Sequence, residues 1–343
     1  MTDNANRQWV LASRPEGMVE PSNFELREEP VPEPGEGEFL VRNLYLSLDP
    51  AMRGWISDRR SYIPPVQIGE VMRGQTTARV VESRHPDYAT GDLLIGTFGW
   101  QEFAVSDGAG PMSPAKVPPG VSPTLPLGVL GLTGLTAYFG LKEIAKPREG
   151  DTVVVSGAAG ATGSAAGQLA HLQGCRTIGI AGGPEKCALA RDEFGFDEAI
   201  DYKSEDVGAR LRELCPDGLD VYWDNVGGEL LEAALANLAR GARVVICGAI
   251  SVYNAEGRTP GPRNYLNLIV HRARMEGFLV FDFLSRIDEA MADLVPLVTE
   301  GKLRCLEDIR DGLEAAPSAL VDLYTGGNTG KLLVRIADPD QAA

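Results

Sequence analysis

The stretch VVVSGAAGATGSAAGQLAHLQG, residues 153–174, decides the fold. It opens on an extended, β-branched run. Gly157, Gly160 and Gly163 then make G-x-x-G-x-x-G, with Ala159 in the middle place of the usual G-x-G-x-x-G. Small and apolar residues follow in a pattern that suits a helix. Taken alone, such a turn is a weak signal, because a helix packed closely on a strand uses the same small residues. The strand before it and the helix after it make it a dinucleotide turn. Small residues let the backbone approach a pyrophosphate, and the helix N-terminus offers unpaired N–H groups and a partial positive charge.

The same alternation continues downstream. RTIGIAG is followed by PEKCALARDEFG, EAIDYKS by VGARLRELCPDG, LDVYWDNVGG by ELLEAALANLARG, and ARVVICGAIS closes the series. Strands alternating with helices of this length imply βαβ units and a parallel sheet, hence an α/β fold. ARMEGFLVF reads as a sixth strand and DEAMADLVPLVTEGKL as a long helix. Upstream the character differs. GEFLVRNLYLSL, TTARVVES and GDLLIGTFGWQEFAVS are short extended runs punctuated by Pro and Gly, which suits a β-rich, barrel-like domain. The tail TGGNTGKLLVRIAD returns to a strand and is expected to rejoin that first domain. The expected division is therefore 1–125 with 305–343 for the β-rich domain, and 126–304 for the dinucleotide domain.

The second strand selects the dinucleotide. An NAD site places Asp or Glu about 20 residues past the turn, on the ribose 2′-hydroxyl. Here Gly182 and Gly183 take that place, and no carboxylate comes before Glu185. Glycines tolerate a 2′-phosphate that a carboxylate would repel. Lys186 can pair with it, unless it is an ordinary solvated lysine, and Tyr202 can add a hydroxyl after the third strand. The reading is NADP(H).

Composition narrows the rest. The 343 residues are 44% hydrophobic and 23% charged, enough for a large core and about two domains. The net charge of −16 repels nucleic acid and anionic membranes, so neither is expected as a partner. It also means that a polyanionic cofactor must be held by local groups. No apolar run reaches the roughly 18–20 residues of a membrane helix, and the first residues lack a signal-peptide core. A cytoplasmic protein is expected. The five cysteines, Cys175, Cys187, Cys215, Cys247 and Cys305, form no C-x-x-C pair, and His85, His171 and His271 lie far apart. Neither a disulfide framework nor a four-cysteine zinc lobe is expected.

Several segments together resemble the zinc-independent medium-chain dehydrogenase/reductases, in the branch of prostaglandin (leukotriene) reductases, plant alkenal double-bond reductases and bacterial curcumin reductases. They are LYLSLDPAMRG (44–54), SYIPPVQIGEVMRG (61–74), GVLGLTGLTAYFGL (128–141), the glycine turn, AGGPEKC (181–187), WDNVGGE (223–229), CGAISVYN (247–254), RMEGFLV (274–280) and GGNTGKLLVRI (326–336). The resemblance implies a GroES-like catalytic domain and a Rossmann domain, with the active site in the cleft between them. It also implies NADPH, and commonly a homodimer. Ala161, Thr162, Gly163 and Ser164 would face the pyrophosphate. Lys186 and Tyr202, with Gly182 leaving room, would hold the 2′-phosphate. Asn225, the segment Cys247, Gly248, Ala249, Ile250, Ser251 to Tyr253, then Phe278, Leu279, Val280 and Asn328, would line the cofactor, with Thr133 near the nicotinamide.

Zinc-dependent relatives carry a cysteine three residues before the Asp of LSLDP and a histidine in a G-H-E motif. Leu46 and Gly69 stand at those places, so no metal is expected. The implied chemistry is delivery of a hydride to the β-carbon of an α,β-unsaturated ketone or aldehyde. That leaves an enolate oxygen in need of a donor and an α-carbon in need of a proton. Tyr253 is the candidate catalytic hydroxyl; it donates to the carbonyl, donates to the α-carbon, or shapes the pocket, while the nicotinamide ribose hydroxyl competes for the donor's role. The chain reads LDPAMRG where many relatives have LDPYMRG, so Ala51 removes a ring and a hydroxyl. Met52, Trp55 and Tyr62 are the candidate substrate residues in compensation. Tyr138 and Lys142 have the Tyr-x-x-x-Lys spacing of short-chain dehydrogenases, but they precede the glycine turn and read as helix packing. Two other functions remain open: a quinone reductase on the same scaffold, and an NADPH-binding protein with little turnover.

Overall fold

The computed structural model describes residues 5–110, 112–257, 259 and 261–339. The chain forms two compact units. One holds the chain up to Leu127, Glu307–Asn328, and the stretch from Leu332 onward; the other holds Gly128–Leu306 with Thr329–Lys331.

The second unit is built on six strands: β1 Thr152–Ser156, β2 Arg176–Ala181, β3 Glu198–Asp201, β4 Leu219–Asp224, β5 Leu238–Ile246 and β6 Arg274–Gly277. Their order is β3-β2-β1-β4-β5-β6 and every pairing described is parallel. This is the doubly wound dinucleotide-binding order, whose ligand crevice opens where the order reverses, at the carboxyl ends of β1 and β4. Val153, Val154 and Val155 are each 0% exposed, as a strand covered by helices on both faces requires. Burying such a side chain stabilises by about 1.5–3 kcal/mol. Helix Ala161–Leu172 crosses from β1 to β2, and Gly167 lets it lie against Phe196, whose ring leaves no room for a Cβ there. Tyr138 and Lys142 are joined by a 2.6 Å hydrogen bond from Nζ to Oη, and Lys142 pairs with Glu289 at 2.6 Å on helix Ile287–Thr299. Their role is to fasten two helices of this unit.

Two boundaries differ from the sequence reading. The segment ANLARG reads as helix, but helix Gly228–Leu235 ends before it and β5 already begins at Leu238. Leu238 is 3% exposed within the apolar core and pairs with Leu219, and this packing outweighs the local helical pattern. The sixth strand is four residues rather than nine. The chain leaves the sheet after Gly277 and winds into a 3-10 segment, Val280–Arg286, where the Phe283 ring stacks on Phe139 at 4.9 Å.

The first unit carries a two-stranded sheet, Ala5–Leu11 with Phe24–Pro30, and a seven-stranded one. The larger sheet centres on Phe39–Ser47, which pairs antiparallel with Thr76–Ser83, with Phe103–Ser106 and with the tail strand Lys331–Arg335. Leu46, Leu48, Met52, Met72, Trp100 and Val334 are all buried in one apolar cluster against helix Ala316–Thr325.

Candidate functional site

The glycine turn follows β1 without a gap. Gly157 has φ +64°, a conformation that favours glycine. A Cβ on Gly163 would stand 2.2 Å from the Gly157 carbonyl oxygen, so any side chain there forces the turn open. Gly160 caps helix Ala161–Leu172, and no side chain satisfies that cap. The first N–H groups of a helix have no intrahelical acceptor, and here they belong to Ala161, Thr162 and Gly163. Ser164 begins the helical bonding, with its N–H on the Gly160 carbonyl at 2.9 Å, and its hydroxyl turns back to the Ala161 carbonyl. The turn thus fits a pyrophosphate on observed geometry: bare backbone, uncapped N–H groups, and the positive end of a twelve-residue helix.

At the end of β2 the backbone turns through Gly182 and Gly183, the latter at φ +96°, into helix Pro184–Asp192. The Gly183 N–H donates to Asp201 Oδ1 at 2.7 Å. Asp201 also accepts from the Lys203 N–H and the Ser204 hydroxyl, and these bonds hold its carboxyl below the usual carboxylate range. A Cβ on Gly182 would lie 2.8 Å from the Tyr202 hydroxyl and 2.9 Å from its ring. The Tyr202 ring, in a residue 46% exposed, therefore rests against Gly182 at the end of β2. Lys186 is half-buried on the first turn of the following helix.

Two loops leave the carboxyl ends of β4 and β5. Asn225 donates from Nδ2 to the Ser156 carbonyl at 2.6 Å and accepts the Trp223 indole N–H at 3.1 Å. The second loop runs Cys247, Gly248, Ala249, Ile250, Ser251, Val252, Tyr253. The Tyr253 hydroxyl accepts the Ala249 N–H at 3.1 Å, and a Cβ on Gly248 would press on that hydroxyl. Burial pushes the Cys247 thiol up to about 12, so it remains a thiol at neutral pH and is no nucleophile. The Phe278 ring packs edge-on to Trp223 at 6.0 Å, and Phe278 is half-buried. Leu279 is 36% exposed and Val280 half-buried. Thr133 lies at the start of helix Leu132–Phe139, with its hydroxyl on the Gly128 carbonyl at 2.7 Å.

The remaining candidates belong to the first unit. Trp55 ends the short helix Met52–Trp55, and its indole N–H donates to the Tyr62 hydroxyl at 3.0 Å. The Arg73 guanidinium lies 5.9 Å from the Trp55 ring. Desolvation pushes the Tyr62 hydroxyl up. Met52 differs from its neighbours: it is 0% exposed inside the apolar core, because the helix turns it inward. It lies in the same apolar cluster as Trp55. Asn328 is 9% exposed, two residues before Gly330, whose N–H donates to the Ala159 carbonyl at 3.0 Å. Leu46 is buried in the core and Gly69 sits in a turn at φ +86°. Among the described residues no three His, Cys, Asp or Glu side chains cluster as a metal site.

Sequence reading missed Ser156, Asp201 and Asp224. Each ends a strand, and each holds a neighbouring turn by hydrogen bonds. The available signal was a polar residue closing an otherwise apolar strand.

Two family descriptions match the chain: an N-terminal domain of oxidoreductase over residues 7–113, and a zinc-binding dehydrogenase over residues 161–300. The NADPH-dependent curcumin reductase of Escherichia coli (strain K12) is 45% identical over 340 residues, 98% of each chain. The NADP(+)-dependent 2-alkenal reductase of Nicotiana tabacum is 40% identical over 344 residues, 97% of this chain and 98% of that one. Among solved structures, CurA from Vibrio vulnificus in complex with NADPH superposes with a TM-score of 0.92 at 45% identity, covering 97% of this chain and all of that one. The chain belongs to the medium-chain dehydrogenase/reductase family, in its branch of curcumin, alkenal and prostaglandin reductases.

Proposed function

We propose that this protein reduces the carbon–carbon double bond of α,β-unsaturated ketones and aldehydes with NADPH. One observation carries the reading: near-complete coverage by an NADPH-dependent curcumin reductase, in a chain whose turn after β2 has no ribose carboxylate. NADPH, when bound, supplies the hydride for the β-carbon. The second unit is assigned to the cofactor and the first to the substrate. Gly157, Gly160 and Gly163 let the backbone approach the pyrophosphate, the N–H groups of Ala161, Thr162 and Gly163 face it, and Ser164 closes the turn beside it. Lys186 and Tyr202 hold the 2′-phosphate beside Gly182. Asn225, the Cys247–Tyr253 loop, Phe278 to Val280, Asn328 and Thr133 are assigned to the rest of the cofactor. The Tyr253 hydroxyl, polarised toward donation by the Ala249 N–H it accepts, is assigned to the substrate oxygen or α-carbon. Trp55 and Tyr62 form a wall for the substrate, backed by Met52.

Steady-state oxidation of NADPH with 2-alkenals, enones and quinones tests this. Enals and enones should be reduced. Reduction of quinones alone would make the protein a quinone reductase, and tight NADPH binding without turnover would make it a non-catalytic binder.

We assign the hydride transfer to a metal-independent route, on the strength of Leu46 and Gly69 at the positions where zinc-dependent relatives carry ligands. Activity should therefore survive prolonged dialysis against a strong chelator. Loss of activity that zinc restores would contradict it. A cytoplasmic location fits five cysteines that form no disulfide, since reducing compartments keep thiols free.

The proposed assembly is a homodimer through β6. That strand ends the sheet, and all four of its residues are exposed. Beside it Tyr265, Leu266, Ile269 and Val270 are 56%, 56%, 74% and 63% exposed. An open strand edge beside an apolar patch invites a partner. Antiparallel pairing of two copies about Met275 sets Arg274 of one opposite Glu276 of the other. Ile269→Asp should convert a dimer in sedimentation to a folded monomer. A wild-type protein that sediments at 36.7 kDa at micromolar concentration would refute the assembly.

A further inference from the structure

Asp224 closes β4 and is 1% exposed. Its Oδ1 accepts three hydrogen bonds: the Ser156 hydroxyl at 3.0 Å, the Val226 N–H at 3.0 Å and the Gly227 N–H at 2.8 Å. Its carbonyl accepts two more, from the Cys247 N–H at 2.9 Å and the Gly248 N–H at 3.0 Å. The first set shapes the loop after β4, and the second fixes the start of the loop after β5. Those loops are also joined directly: Ile250 N–H to the Asn225 carbonyl at 3.2 Å, and the Ser251 N–H and hydroxyl to the Val226 carbonyl at 3.1 and 2.6 Å. The bond to Ser156 crosses from β4 to β1, where the strand order reverses and the ligand crevice opens.

A buried carboxylate is costly unless its acceptors are filled. Here desolvation pushes the Asp224 pKa up even though the hydrogen bonds to it pull it down. The titratable groups that face it are Tyr222 on its own strand and the Cys247 thiol after β5, both made harder to ionise by burial. Ser156, its partner on β1, does not titrate. Charge-assisted bonds to backbone N–H groups are shorter and stronger than neutral ones, so a carboxylate suits a loop that must hold one shape. Fastening two loops at the switch point is what the arrangement does.

We propose that Asp224 is a positioning residue: it locks the loops after β4 and β5 into the one arrangement that receives the nicotinamide half of the cofactor. The inference rests on the assignment of those loops under the proposed function. It separates two ends of the site. At the 2′-phosphate end, at Gly182, Lys186 and Tyr202, the turn is held instead by Asp201, which accepts the Gly183 N–H at 2.7 Å.

The test compares NADPH with 2′,5′-ADP, which reaches only the 2′-phosphate end, by calorimetry on the full chain. Asp224→Ala removes all three side-chain bonds and should weaken NADPH about tenfold or more, with 2′,5′-ADP changed by less than about twofold. Asp224→Asn keeps an oxygen for the three donors and should restore NADPH affinity to within about threefold of wild type. Ser156→Ala, which leaves the carboxylate in place, should weaken NADPH in the same direction by a smaller factor, and it stands as the test if the alanine variant does not fold. Equal loss of both ligands in these variants would show a general structural role and overturn the proposal. Unchanged NADPH affinity would overturn it too. A wild-type protein that fails to bind 2′,5′-ADP would instead remove the NADP reading on which the proposal rests.

Discussion

Lys186→Ala should raise the KM for NADPH by about 10²-fold while the KM for NADH moves by less than about twofold. The size follows from the chemistry of a 2′-phosphate, which carries close to two negative charges; a hydrogen bond to such a charged group contributes about 1.5–3 kcal/mol. The selectivity follows from NADH having a hydroxyl at that position. A chain with net charge −16 gives a polyanion no help at long range, so a nearby cation matters more here than in a neutral protein. Steady-state kinetics with both cofactors on the wild type and the variant measure the effect. Equal losses for the two cofactors would take Lys186 out of the phosphate site and return it to the ordinary role of a surface lysine.

Gly163→Ala should abolish measurable NADPH binding and lower stability together. The new Cβ would lie 2.2 Å from the Gly157 carbonyl oxygen and 2.9 Å from its carbon, both backbone atoms of a turn buried between β1 and its helix. Backbone cannot swing aside as the end of a side chain can, so the turn must open. Overpacking of this kind costs about 1–3 kcal/mol. The opened turn also moves the N–H groups of Ala161 and Thr162 away from the pyrophosphate, so affinity should fall by more than about 10²-fold. Thermal denaturation and NADPH titration on the same variant separate the two effects. Wild-type NADPH affinity in Gly163→Ala would mean that the turn is a packing device and not a cofactor site.

How much of this was legible in the sequence depends on how local each signal is. The parallel sheet was legible because β1, β2, β3 and β4 are apolar runs set off by turn residues, and each helix follows its strand directly. The need for glycine at Gly163 was legible for the same reason, since turn and helix lie within a few residues of each other. The bare end of β2 was visible as Gly182 and Gly183. That the Tyr202 ring rests on Gly182 was not, because it depends on β3 lying beside β2. Asp224 stayed hidden for a stronger version of the same reason. Its partner Ser156 is 68 residues away in sequence and becomes a neighbour only through the pairing of β1 with β4. The overlong sixth strand has another cause. Phe278 and Leu279 are apolar, but apolarity does not say whether a residue packs as strand or as the start of a turn into a helix. Met52 shows the same limit in the other domain. Its place next to Ala51 in LDPAMRG put it among the substrate candidates, yet the one-turn helix Met52–Trp55 points it inward.

The central claim is hydride transfer to a carbon–carbon double bond. NADPH deuterated at the reactive position of the nicotinamide, turned over with an enone and followed by NMR of the product, tests it most directly. Deuterium is expected on the β-carbon of a saturated ketone, with the carbonyl intact and the α-proton drawn from water. Deuterium on the carbonyl carbon of an allylic alcohol would contradict it, and would make the protein a carbonyl reductase on this scaffold.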